Sequence, residues 1–357
     1  MTRRTLLGLV PGALLAAQKH DVKSRGLPPA RGEFVRFADR LTENVVVRLT
    51  VPAHQSLLPA RENRFVSSRE AFLIFASDRS GPFSPFRANL KTGAILQLGE
   101  TKTLDPRSLA IDPRERELWL MDGTELKVIN LQNRKARTLL DGVNDFSLGT
   151  RRAPVVIRRG TRLERWASGR TSVLADGASS RGITSPAGNG CVFNREESPG
   201  ELEYWFASFS SAKPRLLAKG KISSAYWRPD GQALLFLREV QRPRYIASQL
   251  SEMALDGSPE HVISETTQFA AFAPNTDGSV FVGASRSKAQ PDIVLLLRST
   301  RREMVLCEHR ASKPESVTPS FSPNSQRVYF QSDHEGKSAI YSVNVERLIE
   351  KTEDEAA

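Results

Sequence analysis

Along the last part of the chain, apolar and polar side chains alternate in short runs separated by turn-forming residues. Between Arg327 and Gln331 the apolar positions Val328 and Phe330 fall on one side, and from Ala339 to Val345 the alternation returns through Ile340, Ser342 and Asn344. A period of two marks a half-buried strand. Ser320 and Phe321 enter a further short strand ahead of Pro323-Asn324-Ser325, where proline sets φ and asparagine tolerates the left-handed region. Asp333 to Lys337 makes a second turn, with Gly336 free to take positive φ. A three-stranded meander of this size cannot bury its apolar face alone, so it has to be one copy of a repeated unit.

Further copies are legible upstream. Phe65-Val66-Ser67-Ser68 leads to Phe72-Leu73-Ile74-Phe75, Ile111-Asp112-Pro113 to Leu118-Trp119-Leu120, Tyr226-Trp227-Arg228-Pro229 to Leu234-Leu235-Phe236, and Phe272-Ala273-Pro274-Asn275 to Val280-Phe281-Val282. The turn falls at Ser68, Pro113, Pro229, Pro274 and Pro323, and the long gap after Pro113 holds two weaker copies near Val155 and Gly190. Six steps from Ser68 to Pro323 average about 42 residues, the period of a four-stranded propeller blade. Seven blades then fit between about Arg61 and Leu348, the last with three strands of its own. The orphan strand Asn44 to Thr50 is assigned as the outer strand of that last blade, closing the ring. The expected fold is all-β: a seven-bladed β-propeller of four-stranded antiparallel blades, occupying residues 40–348. Two β-sandwich domains are the alternative, but a sandwich has no reason to repeat a fixed turn phrase.

Composition changes this picture little at the core and more at the ends. Residues 1–18 run from Arg3-Arg4 through an apolar stretch to Ala16-Ala17, the pattern of a secretory signal peptide. The Arg3-Arg4 pair fits twin-arginine export as well as an ordinary basic start. A polar tail over 19–39 and an acidic tail over 349–357 are expected to flank the ring, with the mature protein periplasmic or secreted, monomeric and without a membrane span. Cys191 and Cys307 fall in different blades, which argues against a disulfide. Net charge is +11, but the basic residues are scattered and no tract interleaves them with aromatics, so nucleic acid is not an expected partner. Plain solvation is the default reading of that charge, with a polyanionic carbohydrate or an acidic surface beside it, and the expected partner is an acidic oligosaccharide or a protein.

The wording of the last blade is more specific than its turns. Val328 to Gly336, followed by Ala339-Ile340-Tyr341, resembles the last blade of the oligogalacturonate lyases, and Leu306-Cys307-Glu308-His309 resembles a phrase just upstream of it. Leu41-Thr42-Glu43, Arg48-Leu49-Thr50 and Phe75-Ala76-Ser77-Asp78 resemble that family's opening strand and first blade. The more distant TolB-like propellers share the turns. The resemblance implies a seven-bladed propeller and β-elimination of short galacturonate chains in pectin catabolism. It also implies a divalent metal, typically manganese, that stabilises the developing enolate, and a histidine base that removes the proton beside the carboxylate.

The positions that would carry this chemistry hold other residues. Ala271, Lys313, Ser316 and Thr318 stand where the resemblance places metal ligands, Ser224 where it places the base, and Glu203 where it places an arginine. Neither a cofactor nor a metal is therefore expected. Lys313 is the one candidate for a rebuilt base. The five histidines, His20, His54, His261, His309 and His334, include no close metal-type pair. His309 reads as a loop or core residue, His334 as a solvated turn residue, and Asp78 and Asp333 as turn residues bonded to backbone. A cationic mouth is expected from His54, Arg61, Arg64, Arg79 and Lys313, provided one end of the ring gathers them; ordinary exposed arginines are the alternative. The chain thus reads as a degenerate or altered lyase relative that binds acidic carbohydrate, or as an exported protein-interaction scaffold.

Overall fold

The computed structural model describes residues 32–149, 154–211, 213–244 and 246–345. The expected signal peptide, His20 and the acidic tail lie outside them. Seven antiparallel sheets form a ring. Blades one and two span Ser56–Leu57 to Ile95–Gln97 and Ala110–Ile111 to Ala136–Leu140. Blades three and four span Asp145–Ser147 to Arg170–Ala175 and Ile183–Thr184 to Arg215–Gly220, and blade four carries Pro186 in its first turn. Blades five and six begin at Ile222–Trp227 and Phe269–Pro274. Blade seven takes Ser320–Phe321, Arg327–Ser332 and Ala339–Asn344 from the end of the chain.

The ring closes as the repeat count requires. Val45–Arg48 lies beside Ala339–Asn344, with Val46 opposite Val343 and Arg48 opposite Tyr341. A further strand, Val35–Ala38, pairs outside it, so this blade has five strands where four were expected. All four residues of that strand are exposed, which is why no alternation announced it within the stretch read as a polar tail.

The core is a set of seven seams between neighbouring blades rather than one central mass. Leu235 and Leu237 of blade five pack with Phe269, Phe272 and Phe281 of blade six, while Leu234 and Phe236 of the same strand pack with Val192 and Leu217 of blade four. Central strands buried on both faces read as continuous apolar runs, as Leu234 to Leu237 does. Phe330 and Tyr341 stack at 5.4 Å in the seam between blades six and seven. The turns joining the first and second strands share one end of the ring. The connections between blades share the other with the turns joining second and third strands.

At that second end a recurring aspartate ties each incoming connection to its blade. Asp78 accepts the Gln55 N–H at 2.8 Å, Asp122 the Thr103 N–H at 2.7 Å, and Asp333 the Ser312 N–H at 2.8 Å. Burial raises the pKa of all three, but these hydrogen bonds, with Lys337 at Asp78 and Lys127 at Asp122, outweigh it and hold each carboxyl below its usual range.

Candidate functional site in the axial channel

The inner strand of blade one departs furthest from the repeat. In blade one Leu57 pairs with Ala76, and the next pairing is Val66 with Leu73. The inner strand thus advances nine residues while its partner advances three. The excess leaves the sheet as residues 58–65 and crosses the channel, and five other blades or connections between blades receive it. The Leu58 N–H donates to Gln331 Oε1 of blade seven at 2.7 Å. Asn63 Nδ2 donates to the carbonyls of Arg107, Ser108 and Leu109 at 3.0, 3.3 and 3.1 Å. Arg61 reaches the far wall: Nη2 donates to Ser224 Oγ of blade five and Nη1 to the Phe272 carbonyl of blade six, each at 2.8 Å. Tyr226 donates its hydroxyl proton to the Arg61 carbonyl at 2.8 Å.

Glu62 forms an ion pair with Arg181, which enters from the connection between blades three and four. Their side chains are 18% and 12% exposed. Burial raises the Glu62 pKa, but Arg181, by charge and hydrogen bond, and then Arg61 bring it down to about 2. Burial lowers the Arg61 pKa, offset in part by Glu62; a guanidinium stays protonated all the same. Asp145 is pushed up by burial against the opposing charge of Arg181, and burial also raises Tyr226. The channel therefore holds an interleaved set of guanidiniums and carboxylates, with Arg107 adding a like charge beside Arg61.

A cavity of about 420 Å³ opens beside this segment at the end of the ring that carries the first turns. Arg61 to Val66 line one side, and Tyr226, Pro229, Pro274, Phe321 and Pro323 are among the residues lining the rest. Ser320, 4% exposed, also lines it, and its Oγ has no hydrogen-bond partner.

The structure brings together some of the residues singled out in the sequence and separates others. Arg61 and Ser224 meet, beside the strand that carries Ala271. Arg64 lies at the first-turn end, paired with Glu115. Arg79 is at the opposite end, paired with Glu33 at 2.7 Å and lying over the Phe75 and Phe86 rings at 5.5 and 5.3 Å. His54 is near that turn, its Nδ1 3.9 Å from Asp78. Lys313 is exposed on the connection into blade seven, where the Ser316 hydroxyl donates to its carbonyl at 2.7 Å. Thr318 takes a left-handed backbone, φ 46°, and its Oγ1 is buried without a partner. Glu203 sits on the third strand of blade four, accepting from Trp205 Nε1 at 3.1 Å and 3.4 Å from Lys219.

Among the histidines, His309 is fully buried, with Nδ1 accepting the Ala311 N–H and Nε2 facing the Ser285 carbonyl. His334 lies in an exposed turn as expected, with its side chain 21% exposed and its ring centroid 5.3 Å from that of Tyr341.

A manganese ion does not fit the positions the resemblance names. Ala271 offers a methyl, Lys313 an ammonium, Ser316 and Thr318 hydroxyls, and none is a good donor for a divalent transition metal. Among the described residues no group of three His, Cys, Asp or Glu side chains is placed to hold one.

Sequence reasoning missed Glu62, Asn63, Arg181 and Tyr226. A signal was present: the run Arg61-Glu62-Asn63-Arg64 stands where blades five and six carry the uncharged inner strands Ile222–Trp227 and Phe269–Pro274.

The ring and its polar axial channel define a seven-bladed β-propeller. Among solved structures, it is similar to an oligogalacturonate lyase in complex with manganese, with a TM-score of 0.79, 17% identity, and coverage of 90% of this chain and 97% of the other. An oligogalacturonate lyase from Vibrio parahaemolyticus gives 0.76 and 18%, covering 90% and 98%. The hydrazine synthase of Kuenenia stuttgartiensis gives 0.57 and 13%, covering 79% and 95%. At these identities the likeness shows the fold. No protein-family model matches the chain, and no curated protein matches its sequence. No helix among the described residues is long and apolar enough to cross a membrane.

Proposed function

We propose that this propeller binds acidic carbohydrate in its channel without cleaving it. The observation that carries this is the chemistry of the inserted segment: Arg61 is fastened to Ser224 and to the Phe272 carbonyl, and Arg181 beside it holds a carboxylate. Guanidiniums recognise carboxylates through paired N–H donors. β-Elimination also needs a base, and a serine hydroxyl already accepting from a guanidinium is a poor one. A positioned base contributes about 10²–10⁴-fold, so its loss alone removes most of a lyase rate.

The test supplies saturated galacturonate dimers and trimers with manganese to wild type and to Lys313→Ala. No ultraviolet absorbance from a conjugated product is expected above a heat-killed control. A rise in the thermal midpoint with the oligomers is expected, because a ligand that binds only the native state stabilises it. Turnover in wild type that disappears in Lys313→Ala overturns the proposal and makes lysine the base.

A second reading, a protein-interaction scaffold, draws on the proline-lined cavity, whose walls are largely apolar. It is favoured if uronate oligomers leave the midpoint unchanged.

A further inference from the structure

The channel already contains a bound carboxylate, and it belongs to the chain itself. Glu62 is held by Arg181 with Arg61 next to it. The backbone around it is anchored by other groups. Tyr226 holds the Arg61 carbonyl, the Ala60 N–H donates to the Arg107 carbonyl at 3.1 Å, and the Asn63 side chain binds three carbonyls. The Glu62 side chain can therefore swing away while its segment stays in place. Glu62 also borders the cavity of about 420 Å³, a volume within the range of small-ligand sites. That cavity presents the partly exposed walls of Tyr226 and Phe321 and the unpartnered hydroxyl of Ser320.

We propose that Arg61 and Arg181 form a carboxylate cradle for an external ligand, that Glu62 is its resident occupant, and that the ligand enters through this cavity and displaces it. The ligand is a monocarboxylate carried on a hydroxylated ring, its ring against Tyr226 and Phe321 and a hydroxyl toward Ser320. Its class rests on the carbohydrate binding proposed above. Arg61 keeps its bonds to Ser224 and Phe272 throughout, so the exchange swaps one carboxylate for another on the guanidiniums, while Glu62 carries its own charge out of the cradle.

Acetate tests the cradle independently of any sugar. Glu62→Ala is melted in sodium acetate and in sodium chloride at equal ionic strength and pH 7, beside wild type. A saturable rise of the variant's midpoint in acetate alone is expected, with wild type unmoved, because acetate refills the space left by the side chain. Equal responses in the two proteins, or none in the variant, overturn the cradle and leave Glu62 an internal brace. Galacturonic acid is then titrated against wild type and Glu62→Gln, a neutral isostere that serves even if the alanine variant does not fold. Binding tighter by about tenfold in Glu62→Gln is expected, and equal affinity overturns the displacement. Acetate rescue without galacturonate binding to either titrated protein supports the cradle and overturns the carbohydrate reading, so the two failures are distinguishable.

Discussion

Blades five to seven and the inner strand of blade one are built from the same repeat, yet they serve different ends. In blade six, Phe269–Pro274 runs as an unbroken inner strand and Pro274-Asn275 turns it into the next. In blade one the strand stops after Ser56–Leu57, and a charged segment crosses the channel before pairing resumes at Val66. The regular blades exclude water along apolar seams and so hold the ring shut. The irregular one brings polar groups to the axis, where backbone edges and buried hydroxyls of the other blades wait for partners. A repeat gives the molecule its shape, and the break in the repeat gives it chemistry.

The largest test of this contrast is at closure. Deleting residues 40–52 removes Val45–Arg48 and bares the edge of Ala339–Asn344, and unpaired edges template association. Insoluble or grossly destabilised protein is expected on size exclusion, and a stable monomer contradicts the closure. Next comes the seam between blades six and seven. Phe330→Ala leaves a cavity beside Tyr341 and should cost about 3–5 kcal/mol by chemical denaturation.

The inserted segment should matter less to folding than a seam does. Glu62→Gln leaves Arg181 without its ion-pair partner, with only the weaker pull of Asp145 and Asp105 opposing its charge, and should cost about 2–3 kcal/mol at pH 7, since breaking a buried pair is strongly destabilising and this pair is partly exposed. The effect has a sign in pH. Glu62 has a folded pKa of about 2 against an ordinary 4.5, so its contribution is present above 4.5 and is lost as pH falls toward 2. The stability gap between wild type and Glu62→Gln should therefore close across that window, and a gap that is constant down to pH 2 counts against the ion pair. Smallest is Lys313→Ala: the side chain is exposed, and a change within about 0.5 kcal/mol is expected.

The legible parts of the sequence were those in which local chemistry repeats. Pro113, Pro229, Pro274 and Pro323 marked equivalent turns, and the alternation after Arg327 marked paired strands, so blade count and ring closure followed. Blade four was faint although Pro186 stands in its turn, because Thr184 lies two residues ahead of it where Trp227 and Phe321 lie ahead of Pro229 and Pro323; Ile157 and Phe193 nevertheless pack in the seams of blades three and four like their counterparts. The strand Val35–Ala38 was hidden because an outermost strand exposed along its length has no period to show. The channel segment was hidden for another reason. Arg61-Glu62-Asn63-Arg64 looks like any solvated loop, and what makes it a site is a set of partners, Gln331, Ser224, Phe272 and Arg181, that only the closed ring brings near. The grouping of Arg61 with Arg64, Arg79, His54 and Lys313 rested on their charge, and charge carries no register; the fold sends Arg64 and Arg79 to opposite ends.

The central claim is that the channel recognises carboxylated sugar through Arg61. Calorimetric titration of trigalacturonate into wild type and Arg61→Gln tests it most directly, with the native state of both confirmed by circular dichroism. Saturable binding to wild type, weakened by about tenfold or more in Arg61→Gln, is the expected result, since losing one charge-assisted hydrogen bond costs about 1.5–3 kcal/mol. Equal affinity in the two proteins would contradict the account.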